Sequence, residues 1–255
     1  MWSCISQPLR AEEYSIKNYF VFATILYMKT IVITGGSDGL GKAIAERLST
    51  SYTIYLLARS EEKLKKLSEE IGCKYYVCDV ADHAEVQKKM NDIAKDAGGI
   101  DVLINNAGLW VQGPLEENSS EEIENMIAVN TTGLINATKA VVPFMKEKGS
   151  GAIIQMNSQA GFYKKKDRSV YTASKWAVTG FTKSLQVELE PFGIAVMGIY
   201  PGALAVSMTK EDQKTSRNDG VSLENVAKTV EFILSFDDNT TFPEIGIKQI
   251  GWDWS

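Results

Sequence analysis

Tyr171 and Lys175, in "YTASKWAV", are the two side chains best suited by type and spacing to do chemistry. Positions i and i+4 share a helix face, so the phenol and the ammonium point the same way. A phenol of pKa about 10 is a poor base near neutrality. A neighbouring cation favours the phenolate and brings it toward a useful range. An isolated Tyr-x-x-x-Lys is ordinarily a surface pair, an aliphatic stem lying on a ring, so the reading depends on what else reaches that face. Histidine is scarce: His83 stands alone, which leaves a histidine triad or metal cage almost nothing to work with. Cys4, Cys73 and Cys78 include no Cys-x-x-Cys, and Cys73 and Cys78 fall on opposite faces of an expected strand. That pattern argues against a disulfide framework or zinc site and fits a reducing cytoplasm.

A second chemical feature is "TGGSDGLG", Thr34 to Gly41. Glycines 35, 39 and 41 let the backbone turn tightly and approach a ligand, and the helix behind them offers free N–H groups to a pyrophosphate. A glycine cluster alone is often only a turn. Between a first strand and a first helix, dinucleotide binding is the better reading.

These residues need elements to hold them, and the chain supplies them in alternation. "KTIVITGG", "YTIYLLAR", "CKYYVCDV", "DVLINNAG", "GAIIQMNS", "IAVMGIYPG" and "PEIGIKQIG" read as strands. Helix-period segments separate them, including a long stretch from about Ser120 to Lys148 and the helix carrying Tyr171 and Lys175. Ser60 and Asp82 stand where helix caps belong. Continuous apolar strands alternating with helices predict an α/β fold, a parallel sheet covered on both faces. With 44% apolar and 23% charged residues, the balance is globular. A net charge of −5 gives no footprint for nucleic acid or an anionic membrane.

Residues 1–27 differ from the rest. Their apolar run "YFVFATILYM" is too short to span a bilayer, and no small-residue cleavage site follows it. Met28 precedes the first strand directly. The expectation is an N-terminal extension over 1–27 and one domain over 28–255.

Four motifs in order then carry a resemblance. T-G-x-x-x-G-x-G is followed by "NNAG" (Asn105 to Gly108), by Ser158 thirteen residues before Tyr171, and by Pro201-Gly202 in "YPGAL". The chain from Met28 onward resembles the short-chain dehydrogenase/reductase family. The resemblance implies a Rossmann-type doubly wound parallel sheet of about seven strands, with helices on both faces. It also implies hydride transfer between a nicotinamide and a carbonyl or alcohol, with Ser158 stabilising developing oxyanion charge and Tyr171 as general acid or base. Lys175 would tune Tyr171 and hold the nicotinamide ribose, and Asn130 in "AVNTTG" would join Lys175 to water in a proton relay. The implied cofactor site comprises Gly35, Ser37, Asp38, Gly39, Leu40, Gly41, Arg59, Asp79, Val80, Asn106, Ala107, Gly108, Pro201 and Gly202, together with Tyr171 and Lys175. No metal is implied.

Cofactor choice is read in "LLARS". Ala58 stands where NAD-preferring members carry an acid, and Arg59 suits the 2′-phosphate of NADP. Ser37 would add a hydrogen bond. Asp38 cuts the other way, standing where many NADP-binding members carry a base. NADP is expected over NAD.

The substrate is less legible. Lys164, Lys165, Lys166 and Arg168 read as a solvated loop or as a site for an acidic substrate, and Trp110 and Phe162 either line a pocket or pack. "ALAVSMTKEDQKTSRNDG" occupies the family's variable lid, with Val206 where a threonine is common and Ser207 or Thr209 as substitutes. "PEIGIKQIGWDWS" lacks the Asp-Gly-Gly ending of carrier-linked 3-oxoacyl reductases. An NADP-dependent reductase is the first reading, and a non-catalytic dinucleotide-binding regulator the alternative. A nucleotide-sugar epimerase or dehydratase ranks lower, since those resemble longer chains with another glycine spacing. The expected partners are a small carbonyl or alcohol and a second copy of the chain, as a homodimer or homotetramer through its two long helices.

Overall fold

The apolar runs become seven strands of one parallel sheet: β1 (Thr30–Thr34), β2 (Thr53–Ala58), β3 (Lys74–Val77), β4 (Val102–Asn105), β5 (Gly151–Met156), β6 (Ile194–Pro201) and β7 (Glu244–Ile247). The computed structural model describes residues 28–164, 166–205, 220–237 and 240–251. The expectations for residues 1–27, for Lys165 and for Val206, Ser207 and Thr209 lie outside the described residues.

The order across the sheet is β3-β2-β1-β4-β5-β6-β7. β1 pairs with β2 on one side and β4 on the other, Thr34 opposing Leu57 and Asn105. Strand order reverses there, so the chain leaves β1 and β4 in opposite directions and a crevice opens above their carboxyl ends.

Among the described residues seven α-helices surround the sheet: α1 (Gly39–Leu48), α2 (Glu61–Ile71), α3 (His83–Ala97), α4 (Ser120–Ile127), α5 (Leu134–Lys148), α6 (Ser169–Leu189) and α7 (Leu223–Leu234). The side chains of β1 show why its sequence does not alternate. Ile31 and Ile33 pack on one face with Ile44 and Leu48 of α1, Leu64 of α2 and Val230 of α7. Val32 packs on the other with Met90 of α3, Val141 of α5 and Leu189 of α6. Both faces are core, so every position of the strand is buried.

Local details refine the expectations. The stretch from Ser120 to Lys148 is helical throughout, but a π-helical turn over Ala128–Gly133 joins α4 to α5. Asp82 caps α3, accepting from the Ala84 and Glu85 amides. Ser60 occupies the cap position of α2 without a side-chain capping bond, and Glu61 and Glu62 face the helix dipole instead. β3 is four residues long, shorter than its apolar run. Cys73 and Cys78 flank it and pack on opposite faces. Burial pushes their thiols up to about 11 and about 12, so both stay protonated and unreactive near neutrality.

Candidate active site

The carboxyl ends of β1, β4 and β5 collect the residues singled out above. β5 ends at Met156, and Ser158 follows as the cap of a short 3₁₀ turn, its hydroxyl accepting from the Ala160 amide at 3.1 Å. α6 runs back past that point and brings Tyr171 and Lys175 to it from its first two turns. The Lys175 ammonium donates to the Met156 carbonyl at 3.2 Å, and its Nζ is 5.8 Å from the centre of the Tyr171 ring. The same helix turn is pinned from β5: Asn157 Nδ2 donates to the Lys175 carbonyl at 3.2 Å and to Thr179 Oγ1 at 2.9 Å.

The electrostatics of the pair depart from the simple expectation that the lysine depresses the tyrosine. Burial raises the Tyr171 phenol above its ordinary range, while the facing Ser158 hydroxyl and the charge of Arg168 work against that rise. Burial also pulls Lys175 down to about 8. Both shifts have one cause, removal from water, and both favour the neutral form.

Asn130 sits in the π-helical turn and is 1% exposed, so it is no solvated helix residue. Its Oδ1 accepts from the Leu109 amide at 2.6 Å, and its Nδ2 donates to the Leu109 carbonyl at 2.9 Å and to Ser174 Oγ at 3.2 Å. Both amide protons are thereby committed to Leu109 and Ser174. The side chain clasps the loop after β4 to α6. An inserted π turn at such a place is a common device for aiming a side chain inward.

The glycine turn lies alongside. Gly35 has φ +65°, and a Cβ there would come 2.7 Å from the Ala107 Cα. Gly39 has φ +53° with open space where its Cβ would lie, leaving the backbone at the head of α1 accessible. Asn106 fastens the turn to β4: its Nδ2 donates to the Thr34 and Gly35 carbonyls at 3.2 and 3.1 Å. Thr34 Oγ1 accepts from the amides of Asn106 and Ala107. A Cβ on Gly108 would come 3.4 Å from Asn130 Oδ1, and Leu40 packs against the core below. Ser37 lies between Gly35 and α1. This cradle of left-handed glycines, bare backbone and a helix N-terminus fits a dinucleotide pyrophosphate.

The remaining cofactor candidates surround the same crevice. Asp79 and Val80 end the β3 segment, Asp79 accepting from the Ala81 amide and the Val80 carbonyl accepting from Asn136. Arg59 follows β2 and is exposed, while Ala58 is buried. Pro201 ends β6, and the Gly202 amide donates to the Ile247 carbonyl at 2.7 Å.

The chain matches the family model described as short chain dehydrogenase over residues 29–217. The chain belongs to the short-chain dehydrogenase family. It is an NAD(P)-dependent oxidoreductase of the class acting between CH–OH and C=O. An uncharacterized oxidoreductase of Staphylococcus epidermidis is 29% identical over 225 residues, covering 87% of this chain and 97% of that protein. A closed form of serine dehydrogenase complexed with NADP+ superposes with a TM-score of 0.84 at 26% identity, over 89% of this chain and 97% of that one. An NAD+-bound xylitol dehydrogenase superposes at 0.79 with 26% identity, over 86% and 97%.

In this short-chain dehydrogenase site Asn157 and Thr179 went unread in the sequence, and Trp110 and Arg168 were read without the contacts they make. Trp110 meets the Tyr171 ring edge-on at 4.4 Å, and the Arg168 guanidinium lies 4.5 Å over the Trp110 ring. The two loops that supply them are tied by the Gly113 amide, which donates to the Asp167 carbonyl, with Asp167 at φ +57°. Phe162 stacks on Tyr200 at 3.9 Å, so of the two aromatics it is the one that packs. Lys164 and Lys166 are exposed. Thr179 lies at i+4 from Lys175, a spacing that was an available signal for it. Among the described residues no helix is long and apolar enough to cross a membrane.

Proposed function

We propose that the protein is an NADP-dependent carbonyl reductase or alcohol dehydrogenase that uses Tyr171 as its general acid or base. The observation that carries this reading is the meeting of Ser158, Tyr171 and Lys175 at the end of β5, beside a glycine cradle that fits a dinucleotide. When bound, the nicotinamide supplies or accepts the hydride.

The chain's own residues do the rest. Ser158 Oγ donates to the substrate oxygen and stabilises negative charge as it develops there. The Tyr171 phenol gives its proton to that oxygen in reduction and removes it in oxidation. Burial keeps the phenol protonated at neutral pH, which suits the donor role. Lys175 orients the ribose beside the phenol, and Asn157 and Thr179 hold its turn of helix in register. Trp110 gives Tyr171 an apolar wall that keeps water from the proton transfer.

Arg59, exposed at the end of β2 with no acid at Ala58, supports NADP over NAD. An NADP+-bound and an NAD+-bound dehydrogenase are both similar to the chain, so the preference rests on Arg59 and Ala58 alone. Trp176 and Val187, exposed on α6, support the expected pairing of long helices between protomers. The deciding experiment follows NADPH and NADH oxidation against ketones, aldehydes, quinones and 3-oxoacyl thioesters, with Tyr171→Phe as control. Tyrosine-dependent turnover supports the reductase, whereas cofactor binding without turnover on any carbonyl transfers the reading to a regulator.

A further inference from the structure

The acid in the glycine turn poses a problem for a 2′-phosphate, and the structure contains an answer to it. Asp38 caps α1 from an extended backbone, its Oδ1 accepting from the Gly39 amide at 2.8 Å. Its other oxygen, Oδ2, receives the Lys63 ammonium at 2.5 Å. Lys63 lies in the first helical turn after β2, four residues beyond Arg59. The ion pair therefore spans the gap between the glycine turn and the end of β2, the two segments that border the adenosine ribose in this fold. The Lys63 side chain is 57% exposed and that of Asp38 69%, so both groups remain accessible to a ligand. Arg59, exposed on the same corner, has no ion-pair partner among the described residues.

An isolated carboxylate here would oppose a dianionic phosphate. Paired with Lys63, its charge is cancelled, and the hydrogen bond from Lys63 is the main reason its pKa lies below the usual carboxylate value. The pairing has a second consequence. An ammonium carries three donors on a flexible stem, and one bond to Asp38 leaves two for another acceptor. Asp38 thus holds a cation over the corner instead of only placing an anion there.

Resting on the NADP reading above, we propose that Lys63, carried across the corner by Asp38, is a second ligand for the adenosine 2′-phosphate beside Arg59 and a specificity-determining residue for cofactor choice. Asp38 is then a positioning residue for Lys63.

Calorimetric titration at fixed salt tests this. The ligands are NADPH, NADH, 2′,5′-ADP and ADP; the proteins are wild type, Lys63→Gln, Asp38→Asn, the double variant and Arg59→Gln. Lys63→Gln is expected to weaken NADPH and 2′,5′-ADP roughly tenfold while leaving NADH and ADP within about twofold, the size of one charge-assisted hydrogen bond. Asp38→Asn alone is expected to weaken the same two ligands, because Lys63 loses the carboxylate that holds it over the corner. Tighter NADPH binding by Asp38→Asn reduces Lys63 to a screen for Asp38 and overturns the proposal, as does an equal loss for NADH. A wild type that holds NADH as tightly as NADPH overturns the NADP reading itself. A preference for NADPH that depends on Arg59 and is indifferent to Lys63 overturns only the role assigned here.

Discussion

The Lys175 ammonium lies 5.8 Å from the centre of the Tyr171 ring and is bonded to the Met156 carbonyl, within a site that holds it 6% exposed. Its pKa falls to about 8 because burial penalises the charge. The folded value lies below the unfolded one, so the cost of burying the cation is fully present below pH 8. It is relieved as the pH rises from about 8 to about 10.4.

Replacing Lys175 by methionine removes that cost while keeping the stem. Lys175→Met is expected to stabilise the nucleotide-free protein by about 1–2 kcal/mol at pH 7, the relief of burying the charge less the bond lost at the Met156 carbonyl, the gain shrinking as the pH climbs toward 10. Urea unfolding across that range measures it. A variant no more stable than wild type at pH 7 would show that the buried cation carries no such cost. Turnover is expected to be lost at every pH.

Tyr171→Phe removes one hydroxyl and retains the ring that packs against Trp110. Turnover is expected to fall by about 10²- to 10⁴-fold, the range for a positioned general acid. NADPH affinity is expected to stay within about threefold, one neutral hydrogen bond at most. Parallel loss of binding would assign Tyr171 a structural role instead.

What the sequence disclosed follows from where interactions are local. Strand–helix alternation predicted a parallel sheet because burial on both faces writes itself into runs such as "TIVIT". The glycine turn and the Tyr-Lys spacing were legible because each is a short-range constraint. The π turn at Asn130 was not, because the inserted residue shifts the phase of the apolar pattern but keeps its period on either side, and only long-range packing locates the shift. Nor was the stack of Arg168 on Trp110 on Tyr171, in which residues 58 to 61 positions apart meet through two loops. The sign of the Tyr171 shift was missed for a related reason. Spacing reports that a lysine is near, while the degree of desolvation depends on the whole fold.

Gly41 and Gly39 separate two uses of glycine in one turn. A Cβ on Gly41 would stand 2.3 Å from the Gly35 carbonyl oxygen, a backbone atom that cannot yield without opening the turn. At Gly39 a Cβ meets nothing, and only its φ of +53° resists substitution. Gly41→Ala is therefore expected to abolish measurable dinucleotide binding and lower the melting temperature. Gly39→Ala is expected to cost about 1–2 kcal/mol of stability, the penalty for a left-handed alanine. Thermal melts with and without NADPH compare them, and equal behaviour would count against the close packing at Gly41.

Arg59→Glu places an acid where one would bond a ribose 2′-hydroxyl and repel a 2′-phosphate. The ratio of NADPH to NADH affinity is expected to fall by at least about a hundredfold, since an attraction becomes a repulsion. Arg59 is exposed, so the melting temperature is expected to hold. An unchanged ratio would remove Arg59 from the cofactor corner.

Asn130 offers the sharpest test of how the loop after β4 is held. Its bond to Ser174 is buried and its two bonds to Leu109 are part-buried, and Asn130→Ala leaves the Leu109 amide and carbonyl without their partners. Each abandoned group costs at most about 1–3 kcal/mol, so a total loss of roughly 1–3 kcal/mol is expected after relaxation and access of water. The loss has an address. Hydrogen exchange at the Leu109 amide is expected to accelerate far more than exchange in β1, which lies outside the clasp. Asn130→Asp keeps the acceptor for the Leu109 amide but places a carboxylate against the Leu109 carbonyl. It is expected to restore little stability near neutrality and more at low pH, where a protonated carboxyl can donate. Uniform acceleration of exchange through β1 and the loop alike would make Asn130 a general core residue and not the clasp that positions the site.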